Sequence, residues 1–206
     1  MKNAFIVGSS LLALAASAHA GLTVYDSESD WVSVTSGITS ENLEGIAGFE
    51  SYVYLGVGQS LDVGTVDFIT STSDSNTFVI GDMFYSPWAN FSSQEAPDGT
   101  NGTTMDLPDS TSFALFLGTF DASDPVYVTF SNGDSTVISG FDVNSEFVGF
   151  TDSSAFDWVN VTQYNGEVID VGPVAYGTST ASSSTPGPAA LAPFALGLLA
   201  RRRRRA

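Results

Sequence analysis

The chain has 206 residues, of which 43% are hydrophobic and 12% aromatic, a composition that excludes a disordered polymer. It contains 23 acidic residues against six Lys and Arg, and it has no cysteine, which excludes disulfides and thiolate metal sites. The six cationic residues are Lys2 and five consecutive C-terminal arginines, so residues 3–200 have no Lys or Arg to pair with their carboxylates. Because this acidic middle repels nucleic acid and anionic lipid, we expect no nucleic-acid partner.

Two interpretations of the acidic middle are open. The first is solubility in a salty medium, since the screening length is about 8 Å at ~0.15 M salt and shortens as salt rises. The second is specific binding of calcium, a hard cation that prefers carboxylate and carbonyl oxygens. Calcium is therefore the one cofactor that the composition suggests.

Residues 1–20 have the pattern of an export signal. Lys2 precedes an apolar stretch, and Ala18-His19-Ala20 has the small residues that a signal peptidase requires. We predict cleavage after Ala20, which removes the only histidine of the chain.

The first half of the middle region shows short apolar runs broken by Gly, Ser, Asn and Asp. Residues 31–34 alternate weakly, as in a strand, and residues 40–47 predict one short helix with Ser40 as its N-cap. Further strands are predicted at residues 51–57, 65–70, 77–80 and 83–85, where β-branched and aromatic residues are concentrated.

The second half predicts more strands and one hairpin. Residues 112–117 form a strand, and residues 126–141 form a hairpin in which Asn132-Gly133 favours a two-residue turn. Strands follow at residues 147–150, 156–164 and 167–176. Many short strands with regularly spaced turns predict an all-β fold, an antiparallel β-sandwich or jelly roll over residues 21–177.

A few side chains could bind a ligand. Solvent-exposed tryptophans can stack on sugar rings; Trp31 and Trp158 fit the core better, whereas Trp88 lies in a polar loop and is the stacking candidate. Closely spaced oxygen ligands suggest two weak metal sites, although each also fits ordinary turn chemistry. The metal candidates are Asp142, Asn144 and Glu146 in one segment, and Asp121 and Asp124 in the other.

Most catalytic machinery is missing from the middle region. After signal removal no His, Cys or Lys remains there as base or nucleophile, and no Arg as an anion clamp. Only a pair of carboxylates could act, as in glycoside hydrolysis, and abundant Asp and Glu make that signal unspecific. We therefore predict no enzymatic activity and no catalytic residue.

The last residues change character abruptly. Residues 178–185 are a polar Ser/Thr-rich linker, and an apolar run then covers residues 189–200. As a short helix this run spans about 18 Å, less than the bilayer core of about 30 Å. The arginines that follow favour the cytoplasmic side, which predicts temporary retention in a membrane.

Pro186-Gly187-Pro188 precedes the apolar run, and Arg201 to Arg205 follow it. This order of parts resembles a PEP-CTERM sorting signal, although Gly187 stands where the family has Glu. The resemblance implies an exosortase-type membrane transpeptidase as partner, transient anchoring in the inner membrane, and a destination at the cell surface or in an exopolysaccharide matrix. The residues that carry the resemblance are Pro186, Gly187, Pro188, Arg201, Arg202, Arg203, Arg204 and Arg205.

The end of the middle region also resembles the last strands of small exported β-sandwich domains that precede such signals. Phe147, Gly149, Phe150, Val159, Val161, Asp170, Val174 and Tyr176 carry this likeness. The sequence thus predicts an exported structural, adhesive, or glycan- or cation-binding protein. The alternatives are a small carboxylate-based polysaccharide hydrolase and a calcium-dependent carbohydrate-binding module.

Overall fold

The computed structural model describes residues 21–49, 51–56, 58–70, 77–81, 90–94, 102–119, 125–139, 146–163 and 168–181. The predicted signal peptide, with Ala18 and Ala20, and the predicted sorting signal lie outside the described residues. So do the strand predicted at 83–85 and five of the candidate ligand residues: Trp88, Asp121, Asp124, Asp142 and Asn144.

The described residues form twelve strands and one short helix. In chain order these elements are β1 (Thr23–Tyr25), α1 (Glu28–Ser33), β2 (Thr35–Glu41), β3 (Tyr52–Leu55), β4 (Ser60–Val63), β5 (Val66–Ile69), β6 (Thr77–Ile80), β7 (Asn90–Gln94), β8 (Thr103–Thr119), β9 (Val126–Phe130), β10 (Ser135–Ile138), β11 (Glu146–Gln163) and β12 (Val168–Ser179). Within the described ranges, no helix has the length and hydropathy needed to cross a membrane.

All pairings between the named strands are antiparallel, which confirms the predicted all-β class. The strands predicted at 51–57, 65–70 and 77–80 correspond to β3, β5 and β6. The strands predicted at 147–150 and 156–164 are parts of one long strand, β11, and residues 112–117 belong to another long strand, β8.

The long strands β8 and β11 each contribute to two layers. In the first layer the order is β10-β9-β11-β8-β5-β4, built on the C-terminal part of β11 and the N-terminal part of β8. In the second layer the order is β1-β11-β8-β12. The other edge of β12 pairs with β7 along its N-terminal part and with β2 along its C-terminal part. From β7 the sheet continues to β6 and then to β3.

The two strands bend where they pass between layers. The register of β11 against β8 shifts between Thr151 and Phe156 and again between Phe156 and Trp158. Asp152 lies at this bend, and its carboxylate accepts hydrogen bonds from Asn132 Nδ2 at 3.1 Å and from the Ser154 N–H at 2.9 Å. Bulges bend strands and increase their twist, so these irregularities turn each strand from one layer into the other.

The core lies between the layers and is lined from both. Phe130 of the first layer has its ring centroid 5.3 Å from that of Phe150 in the second and 4.9 Å from that of Phe156 at the bend. All three are at most 2% exposed. Burying each such ring stabilises the fold by roughly 1.5–3 kcal/mol, so these phenylalanines hold the layers together.

Residues 31–34, predicted as a strand, belong instead to α1 and its C-cap. The Ser27 hydroxyl accepts a hydrogen bond from the Asp30 N–H and caps the helix, and Glu28 and Asp30 carry favourable charge in its first turn. Trp31 is 2% exposed, so the alternative of a solvent-facing stacking role for it is wrong.

Trp31 fastens α1 onto the second layer. Its Nε1 donates a hydrogen bond of 3.2 Å to the Phe150 carbonyl oxygen. Its ring lies over Gly149, where a Cβ atom would stand 2.6 Å from Trp31 Cδ1. The glycine is therefore required by the close approach of the indole.

The helix predicted at residues 40–47 is wrong. Ser40 and Glu41 end β2, and the chain then turns, with a bridge between Glu44 and Ala47. The Asn42 side chain accepts a hydrogen bond from the Glu44 N–H at 2.9 Å, and Gly45 has a φ of 82°. A local side-chain bond of this kind competes with a helix, and it leaves Leu43 fully buried in the core.

The predicted hairpin forms as β9 and β10, but its loop has three residues and not two. Ser135 pairs with Thr129, and the Phe130 N–H donates to the Asp134 carbonyl oxygen at 2.9 Å. Only residues 131–133 lie outside the ladder, and Gly133 has a φ of 94°. This glycine at the last loop position is the arrangement that three-residue hairpins prefer.

The domain also ends later than predicted. β12 continues to Ser179, which pairs with Thr35, so the first two residues assigned to the linker belong to the sheet. The Thr180 N–H then donates a hydrogen bond of 2.7 Å to the Val34 carbonyl oxygen. Hydrogen bonding with β2 thus overrides the polar composition of this segment.

We expect Gly149→Ala to lower the free energy of unfolding by about 1–3 kcal/mol, because the new methyl group displaces Trp31 and α1. Gly48→Ala is the matched control, since its Cβ would meet nothing closer than 3.6 Å. Urea unfolding measures both. Equal stability of the two variants would contradict the packing of Trp31 on Gly149.

Candidate functional site

The outer surface of the first layer carries the best-defined set of polar and aromatic side chains. Inward-facing Phe68, Met105 and Val159 are fully buried, and the residues before or after them on each strand face outward. We call this surface the Trp158 face. It comprises Ser60, Asp62, Asp67, Ile69, Asp106, Thr104, Trp158 and Asn160.

Strand register places three aspartates and a tryptophan in one row across this face. Asp62 pairs with Asp67, Asp67 pairs with Asp106, and Asp106 pairs with Trp158. Directly opposed residues in antiparallel strands have Cβ atoms about 4.5–5.5 Å apart and share a face. The row therefore presents carboxylates side by side, with an indole at its end.

A second row runs parallel to the first and is mostly uncharged. Asn160 pairs with Thr104, which pairs with Ile69, which pairs with Ser60. Asn160 Nδ2 donates to Thr104 Oγ1 at 2.8 Å, and Thr162 Oγ1 donates to Asn160 Oδ1 at 2.7 Å. These bonds fix the orientation of the amide beside Trp158.

Trp158 is half-buried and faces outward, so its predicted place in the core is wrong. The register shift between Phe156 and Trp158 explains the difference. Phe156 and Val159 are both buried, although they are three positions apart in the strand, because the bulge changes which residues point inward. Regular alternation would have placed Trp158 on the side of Phe156.

Asp67 has an unusual electrostatic environment. Burial raises the pKa of Asp67, the Asp62 and Asp106 carboxylates raise it further, and a hydrogen bond with Ser60 opposes the rise. The side chain as a whole is only partly buried, but its Oδ1 atom is inaccessible and hydrogen bonds to no residue that the structure describes. Because residues 21–181 contain no Lys, Arg or His, no cationic side chain of this region neutralises the row.

Asp62, Asp67 and Asp106 are not among the candidate residues predicted from the sequence. They lie on three different strands, and more than forty residues separate Asp62 from Asp106. Each belongs to an ordinary alternating segment, with no motif around it. Only the pairing of β4 with β5 and of β5 with β8 brings them together, and local spacing carries no information about that pairing.

The remaining metal candidate that the structure describes is Glu146. It is exposed and lines a small cavity of about 150 Å³ together with Asp26, Tyr25 and Ile138. No group of three or more metal-ligating side chains occurs among the residues with described positions. A calcium site at Glu146 with Asp142 and Asn144 stays a prediction.

Two other surfaces could accept a ligand. A cleft of about 170 Å³ lies between α1 and the second layer, with Trp31, Phe116 and Phe147 among its lining residues and Glu28 and Ser40 as its polar groups. On β3, Tyr52 and Tyr54 are 59% and 66% exposed, and their ring centroids are 4.9 Å apart. The tyrosine rings meet edge to face, so they do not form one flat platform.

Comparison with protein-family models finds no match, and comparison with curated proteins finds none. Among solved structures, the chain is similar to a family two carbohydrate esterase from Cellvibrio japonicus at 12% identity, covering 63% of this chain and 34% of that one with a TM-score of 0.38. It is also similar to the CBM22-1 and GH10 modules of an endo-1,4-β-D-xylanase from Clostridium thermocellum, at 8% identity and a TM-score of 0.40, covering 68% and 28%.

A third similar structure is a xylan-binding domain from CBM 22, with 13% identity, a TM-score of 0.38 and coverage of 64% of this chain and 97% of that domain. The chain spans about a third of the length of the first two structures. With TM-scores below 0.5, these likenesses carry no argument about what this chain binds.

Asp170 on β12 gives a pH-dependent prediction. Burial raises its pKa to about 7, so between pH 4 and 7 the folded protein holds a proton that the unfolded chain releases. The free energy of unfolding should therefore fall by about 2–4 kcal/mol as the pH rises through that range. Asp170→Asn should remove most of this slope in urea unfolding.

The matched control for this prediction is Asp157→Asn, the same exchange at an exposed position of β11. Unfolding is measured for the three proteins at several pH values between 4 and 8. An Asp170→Asn profile parallel to that of the unaltered chain would show that the buried carboxyl is not the cause.

Proposed function

We propose that this protein is an exported, non-enzymatic domain that binds polysaccharide through the Trp158 face. The observation that carries the proposal is the partly exposed, outward-facing Trp158 in register with Asp106, beside the fixed amide of Asn160. A sugar ring has an apolar face that packs on an aromatic ring, and its hydroxyl groups donate to carboxylates and amide oxygens. The Trp158 face supplies both kinds of contact.

The open shape of this face suits a polymer. It lies on adjacent strands of one layer, so an extended chain can cross several strands without entering a cavity. Tyr127, which is 37% exposed, pairs with Thr162 on the same side of the layer as Trp158. A bound chain can therefore continue from Trp158 towards Tyr127, about 14 Å away by strand geometry.

A carboxylate-based polysaccharide hydrolase is the second candidate function. It is favoured by the opposition of Asp67 and Asp106 on neighbouring strands, since two nearby carboxyl groups are the machinery of glycoside hydrolysis and burial raises the pKa of Asp67. The absence of His, Lys and Arg from residues 21–200 favours binding alone. Reducing ends released from the polysaccharides used in binding assays would establish hydrolysis.

Trp158→Ala should weaken polysaccharide binding about tenfold, the equivalent of about 1.4 kcal/mol, because the stacking surface is lost. Trp158→Phe should retain most of the affinity. Affinity electrophoresis against a panel of soluble polysaccharides measures the change, and Val24→Ala, at an exposed position of β1 in the second layer, is the control. If Tyr52→Ala abolishes binding and Trp158→Ala does not, the site lies on β3.

We further propose that the C-terminal segment directs the protein to the cell surface or the extracellular matrix. The support is the order of Pro186-Gly187-Pro188, an apolar run and the arginine cluster, together with the export pattern of residues 1–20. An exosortase-type transpeptidase is the partner this implies, and the inner membrane holds the chain only before processing.

Deletion of residues 186–206 should release the protein into the medium or mislocalise it, because the retention signal is gone. Cell fractionation with immunoblotting measures the distribution, and intact-mass analysis of the surface form shows whether both ends have been removed. Unchanged surface retention of the shortened chain would contradict this proposal. Replacing the five arginines with Ser tests the basic end separately.

A further inference from the structure

We infer that the Trp158 face selects polysaccharides that carry primary ammonium groups, such as glucosamine polymers, over neutral ones and against uronic-acid or sulfated ones. This inference rests on the proposed polysaccharide-binding function and specifies the ligand class at the same site. It is carried by the row of three aspartates beside Trp158.

The negative charge of the aspartate row is not compensated by any cationic side chain of residues 21–200. Asp62, Asp67 and Asp106 stand directly opposite one another on three neighbouring strands, an arrangement in which like charges destabilise a sheet. No Lys, Arg or His occurs in residues 21–200 to offset this repulsion. A cationic ligand relieves it, whereas a neutral ligand leaves it unchanged and an anionic ligand adds to it.

The Oδ1 atom of Asp67, in the middle of the row, is a buried acceptor without a partner in the described part of the chain. It is inaccessible to solvent and finds no hydrogen-bond donor among the described residues. An unpaired buried acceptor costs about 1–3 kcal/mol, and more when it is charged. A ligand cannot donate to this inaccessible oxygen directly, but the positive charge of an ammonium group at the row stabilises the ionised form of Asp67.

The row is linear, because its three aspartates lie side by side on three neighbouring strands. Strands are spaced about 4.8 Å apart, so the backbones of Asp62 and Asp106 are about 10 Å apart, whereas calcium holds its oxygens at about 2.3–2.6 Å. The described residues contain no converging group of three metal ligands. A linear row suits several charges spaced along a polymer better than one ion.

Trp158 completes this arrangement at the end of the row. A sugar ring stacked on its indole would place substituents next to Asp106, its cross-strand neighbour. An ammonium close to an indole also gains a cation–π attraction of about 0.5–1 kcal/mol at an exposed site. Stacking and charge pairing therefore act on the same ligand unit.

The test is calorimetric titration of the purified chain with β-1,4-linked hexamers of glucosamine, N-acetylglucosamine and glucose, and with an oligomer of a uronic acid, at about pH 6. We expect the glucosamine hexamer to bind at least tenfold more tightly than the other two hexamers, with a preference that shrinks as salt rises. The uronic acid oligomer should bind most weakly.

Asp67→Asn and Asp106→Asn should each reduce the preference for glucosamine to about threefold or less while keeping the affinity for the N-acetylated hexamer. Asp26→Asn, at an exposed position outside the first layer, removes the same charge and should leave the preference unchanged. Circular dichroism of each variant confirms that the fold is retained.

The outcomes separate this inference from the proposed function. Equal affinity for the glucosamine, N-acetylglucosamine and glucose hexamers would overturn the inference and leave the proposed polysaccharide binding intact. If no oligomer binds, both proposals are wrong. A preference that survives both Asn variants would mean that the net charge of the domain, and not the row, selects the ligand. Thermal stabilisation by millimolar calcium that depends on Asp106 would identify a metal site instead.

Discussion

The bend at which β8 and β11 pass from one layer to the other is the constraint on which the rest of the fold depends. Each strand pairs with different neighbours before and after it, so a single pair of strands organises both layers. Phe130, Phe150 and Phe156 pack around this bend. The Asp152 carboxylate at the bend accepts hydrogen bonds from Asn132 and Ser154. The same irregularity turns Trp158 outward, so the geometry that closes the core also creates the aromatic part of the candidate site.

The charge distribution follows from the same architecture. With 23 acidic residues and no Lys, Arg or His in residues 21–200, ion pairing inside the domain is not available as a means of burying carboxylates. Some carboxylates lie on outer faces, and others, such as Asp152, accept hydrogen bonds from backbone N–H groups at a bend. At Asp170, burial favours the protonated form of the carboxyl group. In the aspartate row, strand pairing holds three carboxylates opposite one another with no turn to donate hydrogen bonds to them, and the proposed ligand preference of the Trp158 face depends on this repulsion.

Local patterns predicted the all-β class and most strands, because alternation and β-branched content are properties of short segments. These patterns gave wrong predictions where a contact between residues distant in sequence determines the local structure. Trp31 belongs to a helix because Gly149, more than a hundred residues away, makes room for its ring, and residues 40–47 turn instead of forming a helix because Leu43 is drawn into the core. The site depends on register between strands distant in sequence and on a bulge that changes the facing of Trp158, and neither is encoded in the spacing of neighbouring residues.

The position of β12 has a mechanical consequence for a domain tethered through its C-terminus. If the proposed C-terminal segment holds the domain to a surface, its tension would enter β12 along the strand axis. β12 is hydrogen bonded on one side to β8 and on the other to β2 and β7. Pulling along such ladders loads many hydrogen bonds in shear at once, whereas an edge strand would peel away one bond at a time. If the Trp158 face binds a polysaccharide as proposed, load on Trp158 and Asp106 would pass through β11 and β8 into the same ladders.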